Sequence, residues 1–303
     1  MFLSGVATAG VAPAAVGKES AAAAVKTMQR HPVDFAVQQA CALAAQVLSA
    51  RPSALVSDLD GTLSPIAPTP EEASVLPGCR RALERLRDRL DVVAVVSGRP
   101  GSEAKRLLGT EGVVYLGNHG LDAWIGMERP AGPATGQAET ASKSLRLALE
   151  DLKVALAGQA GLRFEDKEAT ISIHYRSAAD PEAVRSLVLA AAAQVAARRG
   201  LAVGEGKKVV ELRPSHWPGK GACLEELARG CGLRGLVYLG DDYPDLHAFE
   251  TLTQLRQREG LLTLSIGVGG PESPSRLADS VDVMLSGPEQ VEVLLQDLVK
   301  TLG

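Results

Sequence analysis

The sequence has few cysteines, no excess of positive charge and no long apolar run, and each of these features excludes a class of protein. Its four cysteines include no C-x-x-C pair and are too sparse for a disulfide framework in 303 residues. Lys and Arg number 32 against 36 Asp and Glu, so the chain lacks the positive field that nucleic-acid binding requires. No stretch of 18 residues is continuously apolar, which argues against a membrane span. We therefore expect a cytoplasmic monomer that binds neither nucleic acid nor membranes.

The length and composition are typical of a folded chain with two domains, or with one domain that carries a large insertion. Hydrophobic residues make up 46% of the chain and charged residues 22%. Residues 1–32 begin with the segment MFLSGVATAGVAPAAVG, which lacks both the positively charged part and the continuous apolar part of a signal peptide. We expect them to form a flexible tail.

Short apolar segments rich in β-branched residues alternate with longer segments of helical periodicity. This alternation predicts a Rossmann-like α/β core, in which helices cover both faces of a parallel sheet. A helix over residues 33–50 should lead into the first strand. The predicted strands are Leu55-Val56, Val92–Val96, Val113–Leu116, Leu236–Leu239, Leu261–Ile266 and Val281–Leu285.

Between residues 127 and 213 the pattern changes to helix-strand-strand, and this pattern occurs twice. We expect an α+β insertion here, placed between the two parts of the core, 33–126 and 214–303. Strand alternation predicts one apolar face against the inserted helices and one polar face over the core. The predicted elements are Ala141–Leu156, Arg163–Lys167, Thr170–Arg176, Pro181–Arg199, Leu201–Gly204 and Lys207–Arg213.

The strongest chemical signal is the segment Asp58-Leu59-Asp60-Gly61-Thr62, directly after the first predicted strand. Two carboxylates this close cannot both be freely ionised without a cation, so the segment predicts a divalent metal. The alternative is a turn that merely ends the strand, since Asp and Gly are common turn residues.

Polar loops follow other predicted strands as well, and in an open α/β sheet the carboxyl ends of the strands meet at one site. Ser97 can donate to a phosphate oxygen, and Lys220 can neutralise phosphate charge. Hard oxygen ligands suited to magnesium are offered by Asp241, Asp242 and Asp245. Each residue alone is ordinary, but their occurrence in one chain favours a phosphate site over a set of unrelated turns.

The motifs D-x-D-G-T, S-G-R, K-G and G-D-D-x-x-D resemble those of the haloacid dehalogenase superfamily. From about Asp34 to Leu295 the chain looks more closely like the trehalose-phosphate phosphatase family, with Pro244 and Leu246 in place of that family's Thr and Glu. The metal-binding part of the motif is intact in Asp241 and Asp245. The segments that carry the closer resemblance are Leu63–Ile66, Gly117–Gly120, Phe164–Lys167, His174–Arg176, Glu211–Pro214 and Gly240–Asp242.

The resemblance implies a core of the haloacid dehalogenase type with a cap domain, and hydrolysis of trehalose 6-phosphate to trehalose and phosphate. It makes Asp58 the nucleophile that forms an aspartyl-phosphate, and Asp60 the acid that protonates the departing sugar and later activates water. The phosphoryl group would be oriented by Thr62, Ser97 and Lys220. Mg²⁺ would be held by Asp58, the backbone carbonyl of Asp60 and Asp241, with Asp245 and Asp242 in support. The candidate sugar-binding residues are Arg99, Asn118, His119, Lys167, His174, Arg176, Glu211 and Arg213.

Two alternatives remain open from the sequence. The first keeps the chemistry and changes the substrate to sucrose phosphate, a glycosyl phosphoglycerate or a hexose phosphate. The second is a catalytically silent sugar-phosphate-binding domain, which would not need both a nucleophile and an acid. The polar residues of the insertion also have a non-functional interpretation, as solvated residues of a half-exposed sheet.

Overall fold

The computed structural model describes residues 32–120, 124–127, 138–166, 170–215, 219–271 and 273–303. In chain order its helices and strands are α1 (Pro32–Leu48), β1 (Ser53–Ser57), α2 (Pro77–Leu86), β2 (Val92–Val96), α3 (Gly101–Leu108), β3 (Val114–Leu116), β4 (Trp124–Ile125), α4 (Ala138–Ala155), β5 (Arg163–Asp166), β6 (Ile171–His174), α5 (Pro181–Arg199), β7 (Leu201–Gly206), β8 (Val209–Pro214), α6 (Gly219–Gly230), β9 (Gly235–Gly240), α7 (Tyr243–Glu259), β10 (Leu262–Val268), β11 (Val283–Leu285) and α8 (Pro288–Thr301). Within these ranges no helix combines the length and the apolar character needed to cross a membrane.

The larger sheet has the strand order β11-β10-β9-β1-β2-β3-β4. The first six strands run parallel, as the alternation of strands and helices predicts, and β4 pairs antiparallel with β3 at the edge. In the register of the two central strands, Ser57 of β1 lies beside Leu239 of β9. The loops that follow β1 and β9 therefore leave the same edge of the sheet side by side.

Both faces of this sheet are covered, which confirms the predicted α/β core. Every residue of β1, β2 and β9 is buried. On one face the side chains of Leu55 and Val93 pack among residues of α1, α2 and α8. On the other face Val56 and Tyr238 pack among residues of α6 and α7.

The smaller sheet is antiparallel, with the order β5-β6-β8-β7. Ile171, Ile173, Val210 and Leu212 are fully buried against residues of α4 and α5, as strand alternation predicts. Ser172 is also fully buried, although it was expected on the polar face, because its hydroxyl donates to a carboxylate oxygen on β8. The boundaries 127 and 213 of the inserted domain remain a prediction.

The predicted last strand of the insertion begins two residues too early. The chain turns at Lys207 and Lys208, and β8 starts only at Val209. Lys208 has a φ of 60°, the left-handed conformation that tight turns between antiparallel strands require. The turn at the end of β7 carries Lys207 to the loop that follows β9, where its backbone N–H donates to Asp242.

Candidate active site

Asp58 and Lys220 form a buried ion pair at the carboxyl end of β1. The backbone N–H of Asp58 donates to the carbonyl oxygen of Leu239 over 2.8 Å, which extends the β1–β9 pairing to this residue. Lys220, near the start of α6, places its Nζ 2.7 Å from Asp58 Oδ1 and 2.7 Å from Asp245 Oδ1. Burial alone would lower the pKa of Lys220, but the two carboxylates raise it well above its usual value. The site therefore holds a permanent cation beside Asp58.

Three carboxylates crowd together around this lysine. One oxygen from each of Asp58, Asp241 and Asp245 lies within 4.8 Å of the others. Burial raises the pKa of Asp58 well above its usual value, and although Lys220 opposes this, the charges of Asp245 and Asp241 raise it further. Hard oxygen donors at this separation fit a divalent cation such as Mg²⁺, which would relieve the repulsion among them.

Asp245 uses both of its oxygens to organise the loop between β9 and α7. Its Oδ1 accepts from Lys220 Nζ at 2.7 Å and from the hydroxyl of Tyr238 at 2.6 Å. Its Oδ2 accepts from the backbone N–H groups of Asp241 and Asp242, at 2.9 and 3.0 Å. Four donors match the accepting capacity of one carboxylate. Asp245 therefore fixes the loop, while Asp58 and Asp241 are better placed as the metal-binding side chains.

Asp242 begins α7 as its N-cap, with its side chain accepting from the backbone N–H of Tyr243 and of Lys207. Burial, followed by the charge of Asp241, raises its pKa to about 7. The departure Pro244 lies in the first turn of this helix, where a missing N–H costs nothing, and Leu246 is buried. The loop therefore tolerates both departures from the family motif.

Lys207 reaches the same cluster from the turn between β7 and β8. Its Nζ contacts Asp241 Oδ2, and its side chain is 7% exposed. A metal ion at this site would compete with the Lys207 ammonium group for the Asp241 carboxylate. Lys207 is not among the predicted site residues, because the predicted strand Lys207–Arg213 does not show that a turn before β8 brings this side chain to Asp241.

Asp60 is paired with Arg99 through two hydrogen bonds. Arg99 Nε lies 2.7 Å from Asp60 Oδ2, and Nη2 lies 2.9 Å from Oδ1. Arg99 also contacts Glu103, one turn along α3. The predicted sugar contact Arg99 is thus held by two carboxylates, and its pairing orients Asp60 at the mouth of the site.

Thr62 and Ser97 are two buried hydroxyl residues at this site. The hydroxyl of Thr62 donates to Asp241 Oδ1 over 3.1 Å, so it orients that carboxylate. Ser97 is buried and its Oγ accepts from the backbone N–H of Arg99. Gly61, at a φ of 89°, is required here, because a Cβ would lie 1.9 Å from Asp241 Oδ2.

A cavity of about 200 Å³ brings the two sheets' polar side chains together. From the larger sheet it is lined by Asp58, Asp60, Ser97, Arg99, His119, Lys220 and Asp242. From the smaller sheet it is lined by Glu165, His174, Arg176, Glu205, Lys207, Val209 and Glu211. The predicted candidates Asn118 and Arg213 are described but do not line this cavity, and Lys167 lies outside the described residues.

Two carboxylates of the smaller sheet point at histidines. Glu165 Oε2 lies 2.7 Å from His174 Nε2, and Glu211 Oε2 lies 3.2 Å from His119 Nε2. Glu165 lines the cavity but is not among the predicted site residues. In the β5–β6 register it lies opposite Ser172, and its side chain reaches His174 on a diagonal, a contact that the sequence does not show.

Comparisons with known proteins identify the family of this chain. The trehalose-phosphatase family model matches residues 56–294. A trehalose-phosphate phosphatase of Mycolicibacterium paratuberculosis is 36% identical over 71% of this chain and 55% of its own length. One of Mycobacterium bovis is 31% identical over 78% of this chain and 62% of its own length. The chain thus spans less than two thirds of these relatives.

Solved structures show the same fold. The C-terminal domain of trehalose-6-phosphate phosphatase from Candida albicans matches with a TM-score of 0.70 at 21% identity, covering 86% of this chain and 97% of that one. A haloacid dehalogenase-like hydrolase from Bacteroides thetaiotaomicron matches with a TM-score of 0.54 at 16% identity, covering 80% and 97%. These likenesses support the haloacid dehalogenase type of core with a cap. Because the family model covers well over half of its length, the chain belongs to the trehalose-phosphatase family.

Proposed function

We propose that this chain is a magnesium-dependent phosphatase that hydrolyses trehalose 6-phosphate to trehalose and phosphate. The observation that carries the proposal is the single cavity in which Asp58 and Lys220 face polar strands of the smaller sheet. The family match and the names of the relatives support the choice of substrate.

In the first step, a carboxylate oxygen of Asp58 attacks the phosphorus atom and the bond to the sugar oxygen breaks. Asp60 gives its proton to that departing oxygen, so the free sugar leaves neutral. Lys220 neutralises charge on the phosphoryl oxygens throughout, and Ser97 offers its hydroxyl to one of them.

In the second step, Asp60 takes a proton from a water molecule, whose oxygen attacks the phosphorus atom of the aspartyl-phosphate. The phosphorus–oxygen bond to Asp58 breaks, which frees phosphate and restores the carboxylate. Arg99 holds both oxygens of Asp60 in the substrate-free structure, so one of these two hydrogen bonds must open for that oxygen to carry and transfer the proton, while the other keeps Asp60 oriented.

Mg²⁺ would be held by the side chains of Asp58 and Asp241 and by the backbone carbonyl of Asp60, where it supplies charge neutralisation to the phosphoryl oxygens. Thr62 orients Asp241 for this task, and Asp245 fixes the loop that carries it. Asp242 supports the same loop as the N-cap of α7.

We assign sugar recognition to the smaller sheet, as a cap domain over residues 127–213. Glu165, Arg176, Lys207 and Glu211 line its side of the cavity and offer both acceptors and donors to sugar hydroxyls. We further propose that the protein acts in the cytoplasm, which its four free cysteines support, and that it acts as a monomer.

Phosphate release from a panel of sugar phosphates, with and without Mg²⁺, tests this function. The panel contains trehalose 6-phosphate, sucrose phosphate, a glycosyl phosphoglycerate and glucose 6-phosphate. We expect metal-dependent turnover with a clear preference for trehalose 6-phosphate. Equal rates on all four substrates would remove the substrate assignment, and the absence of turnover on any of them would favour a silent binding domain.

A further inference from the structure

A tyrosine that the proposed mechanism does not use lies directly behind the site. Tyr238, in the middle of β9, is fully buried, and its ring packs edge-on against Phe249 with centroids 5.6 Å apart. Its hydroxyl donates to Asp245 Oδ1 over 2.6 Å. A phenylalanine would fill the same apolar space without a hydroxyl to satisfy, so the hydroxyl itself needs an explanation.

The hydroxyl is the far end of a buried chain of hydrogen bonds that ends at the nucleophile. Tyr238 donates to Asp245 Oδ1, the same oxygen accepts from Lys220, and Lys220 also contacts Asp58. Lys220 and Asp58 are only 3% and 6% exposed. Because these groups are buried, the position of each depends on its hydrogen-bonded neighbours.

The second oxygen of Asp245 also fixes the loop between β9 and α7, which carries Asp241. Oδ2 accepts from the backbone N–H groups of Asp241 and Asp242. The orientation of this one carboxylate therefore sets both the place of Lys220 and the place of Asp241. Tyr238 binds Asp245 from within the sheet.

We infer that Tyr238 is a positioning residue, whose hydroxyl fixes Asp245 and thereby holds Lys220 in place for the phosphoryl group. This inference rests on the proposed phosphatase function. It assigns to Tyr238 no contact with the substrate. Removal of the hydroxyl should leave Asp245 with three donors and let Lys220 shift along the carboxylate.

Tyr238→Phe tests the inference, because it deletes one oxygen atom and keeps the ring. We expect kcat for trehalose 6-phosphate to fall by about 5- to 20-fold, as is typical when one bond to a charged group is lost. The inhibition constant for inorganic phosphate should rise by a similar factor, because phosphate binds Lys220 directly.

Tyr115→Phe is the matched control. Tyr115 lies in β3 of the same sheet, is 1% exposed, and donates its hydroxyl to the carbonyl of Thr110 over 2.6 Å. Its bond has the same length as that of Tyr238 but leads to no residue of the site. Tyr115→Phe should lose thermal stability and keep both the wild-type kcat and the wild-type phosphate inhibition.

The outcomes separate the inference from the proposed function. If wild type and Tyr115→Phe release phosphate from trehalose 6-phosphate and Tyr238→Phe matches them in kcat and phosphate inhibition, Tyr238 is only a core residue. Equal losses in both variants would also overturn the inference. If the wild type releases no phosphate, the proposed function fails instead. Should Tyr238→Phe not fold, p-aminophenylalanine at this position, which keeps a donor, must preserve most of kcat for the inference to stand.

Discussion

His119 Nε2 lies 3.2 Å from Glu211 Oε2, so the loop that follows β3 touches the central strand pair of the smaller sheet. The loop is built for this contact, because both Asn118 and His119 adopt left-handed backbone conformations, at φ of 47° and 53°. Gly98 leaves room for the imidazole, since a Cβ there would lie 2.9 Å from the ring. Glu211 is thereby held from two sides, by His119 and by the hydroxyl of Ser172.

Glu211→Ala should separate sugar recognition from phosphate chemistry. The loss of a charge-assisted hydrogen bond to a sugar hydroxyl should lower kcat/KM for trehalose 6-phosphate by about 10- to 100-fold. Hydrolysis of p-nitrophenyl phosphate should stay nearly constant, because that substrate needs only the larger sheet's residues. Glu182→Ala, which removes an exposed carboxylate paired with Lys208, is the control. Equal losses on both substrates would mean that Glu211 supports the fold instead.

Asp58→Asn should abolish turnover and preserve the fold. An amide has nearly the volume of the carboxylate but is a poor nucleophile, so phosphate release should fall by at least about 10³-fold. Circular dichroism and thermal unfolding should show a folded protein. Asp279→Asn, at an exposed position, should retain full activity. Residual activity above a few per cent would contradict attack by Asp58.

Lys207→Met should change metal affinity. The Nζ of Lys207 contacts Asp241, so a bound metal ion must displace or share with this cation. Without it, calorimetry on the substrate-free protein should show Mg²⁺ binding tighter by about tenfold, or ~1.4 kcal/mol. Lys208→Met removes the adjacent lysine, which pairs with Glu182, and should leave Mg²⁺ affinity unchanged. Weaker Mg²⁺ binding in Lys207→Met would show that the lysine does not compete.

The effect of Mg²⁺ on stability should grow with pH. Burial raises the pKa of Asp58, Asp241 and Asp242 in the metal-free protein, that of Asp242 to about 7. A raised pKa contributes stability below the unfolded value near 4 that is lost as pH rises through the folded value. The ionisation of these three groups should therefore lower the free energy of unfolding of the metal-free protein between about pH 4 and pH 7, whereas Asp245, whose pKa is lowered, acts in the opposite sense below about pH 4.

Mg²⁺ favours the ionised carboxylates and offsets this loss. Thermal unfolding at pH 5.5 and pH 7.5, with and without Mg²⁺, measures the effect. The rise in Tm on addition of Mg²⁺ should be larger at pH 7.5. Asp242→Asn should flatten the pH dependence of the metal-free protein. The same rise in Tm at both pH values would contradict the prediction.

Much of the fold follows from sequence patterns that have a direct physical cause. Val92–Val96 could be predicted as a strand because five small apolar residues in a row suit a position covered on both faces. Trp124–Ile125 could not, because two residues give no period, and β4 exists through its pairing with β3. The strand order could not be predicted either, because it depends on contacts between distant segments.

Some residues of the site could also be predicted from the sequence, and others could not. Asp58 and Asp241 could be found because each directly follows a buried strand. The pairing of Arg99 with Asp60, and of Tyr238 with Asp245, could not be predicted, because only folding brings these side chains together. Lys207 could not be predicted as a site residue, because a turn, and not a strand face, brings its side chain to Asp241.

The pairing of β1 with β9 fixes the distance between the backbones of Asp58 and Asp241. Neighbouring strands are held roughly 4.8 Å apart by their backbone hydrogen bonds, whatever side chains they carry. Asp58 and Asp241 follow these two strands, so the spacing of their backbones is set by the larger sheet, although Lys207 of the smaller sheet contacts the Asp241 side chain. A protein built this way can have the strands of its smaller sheet exchanged or redesigned while the backbones that carry its two key carboxylates stay in place.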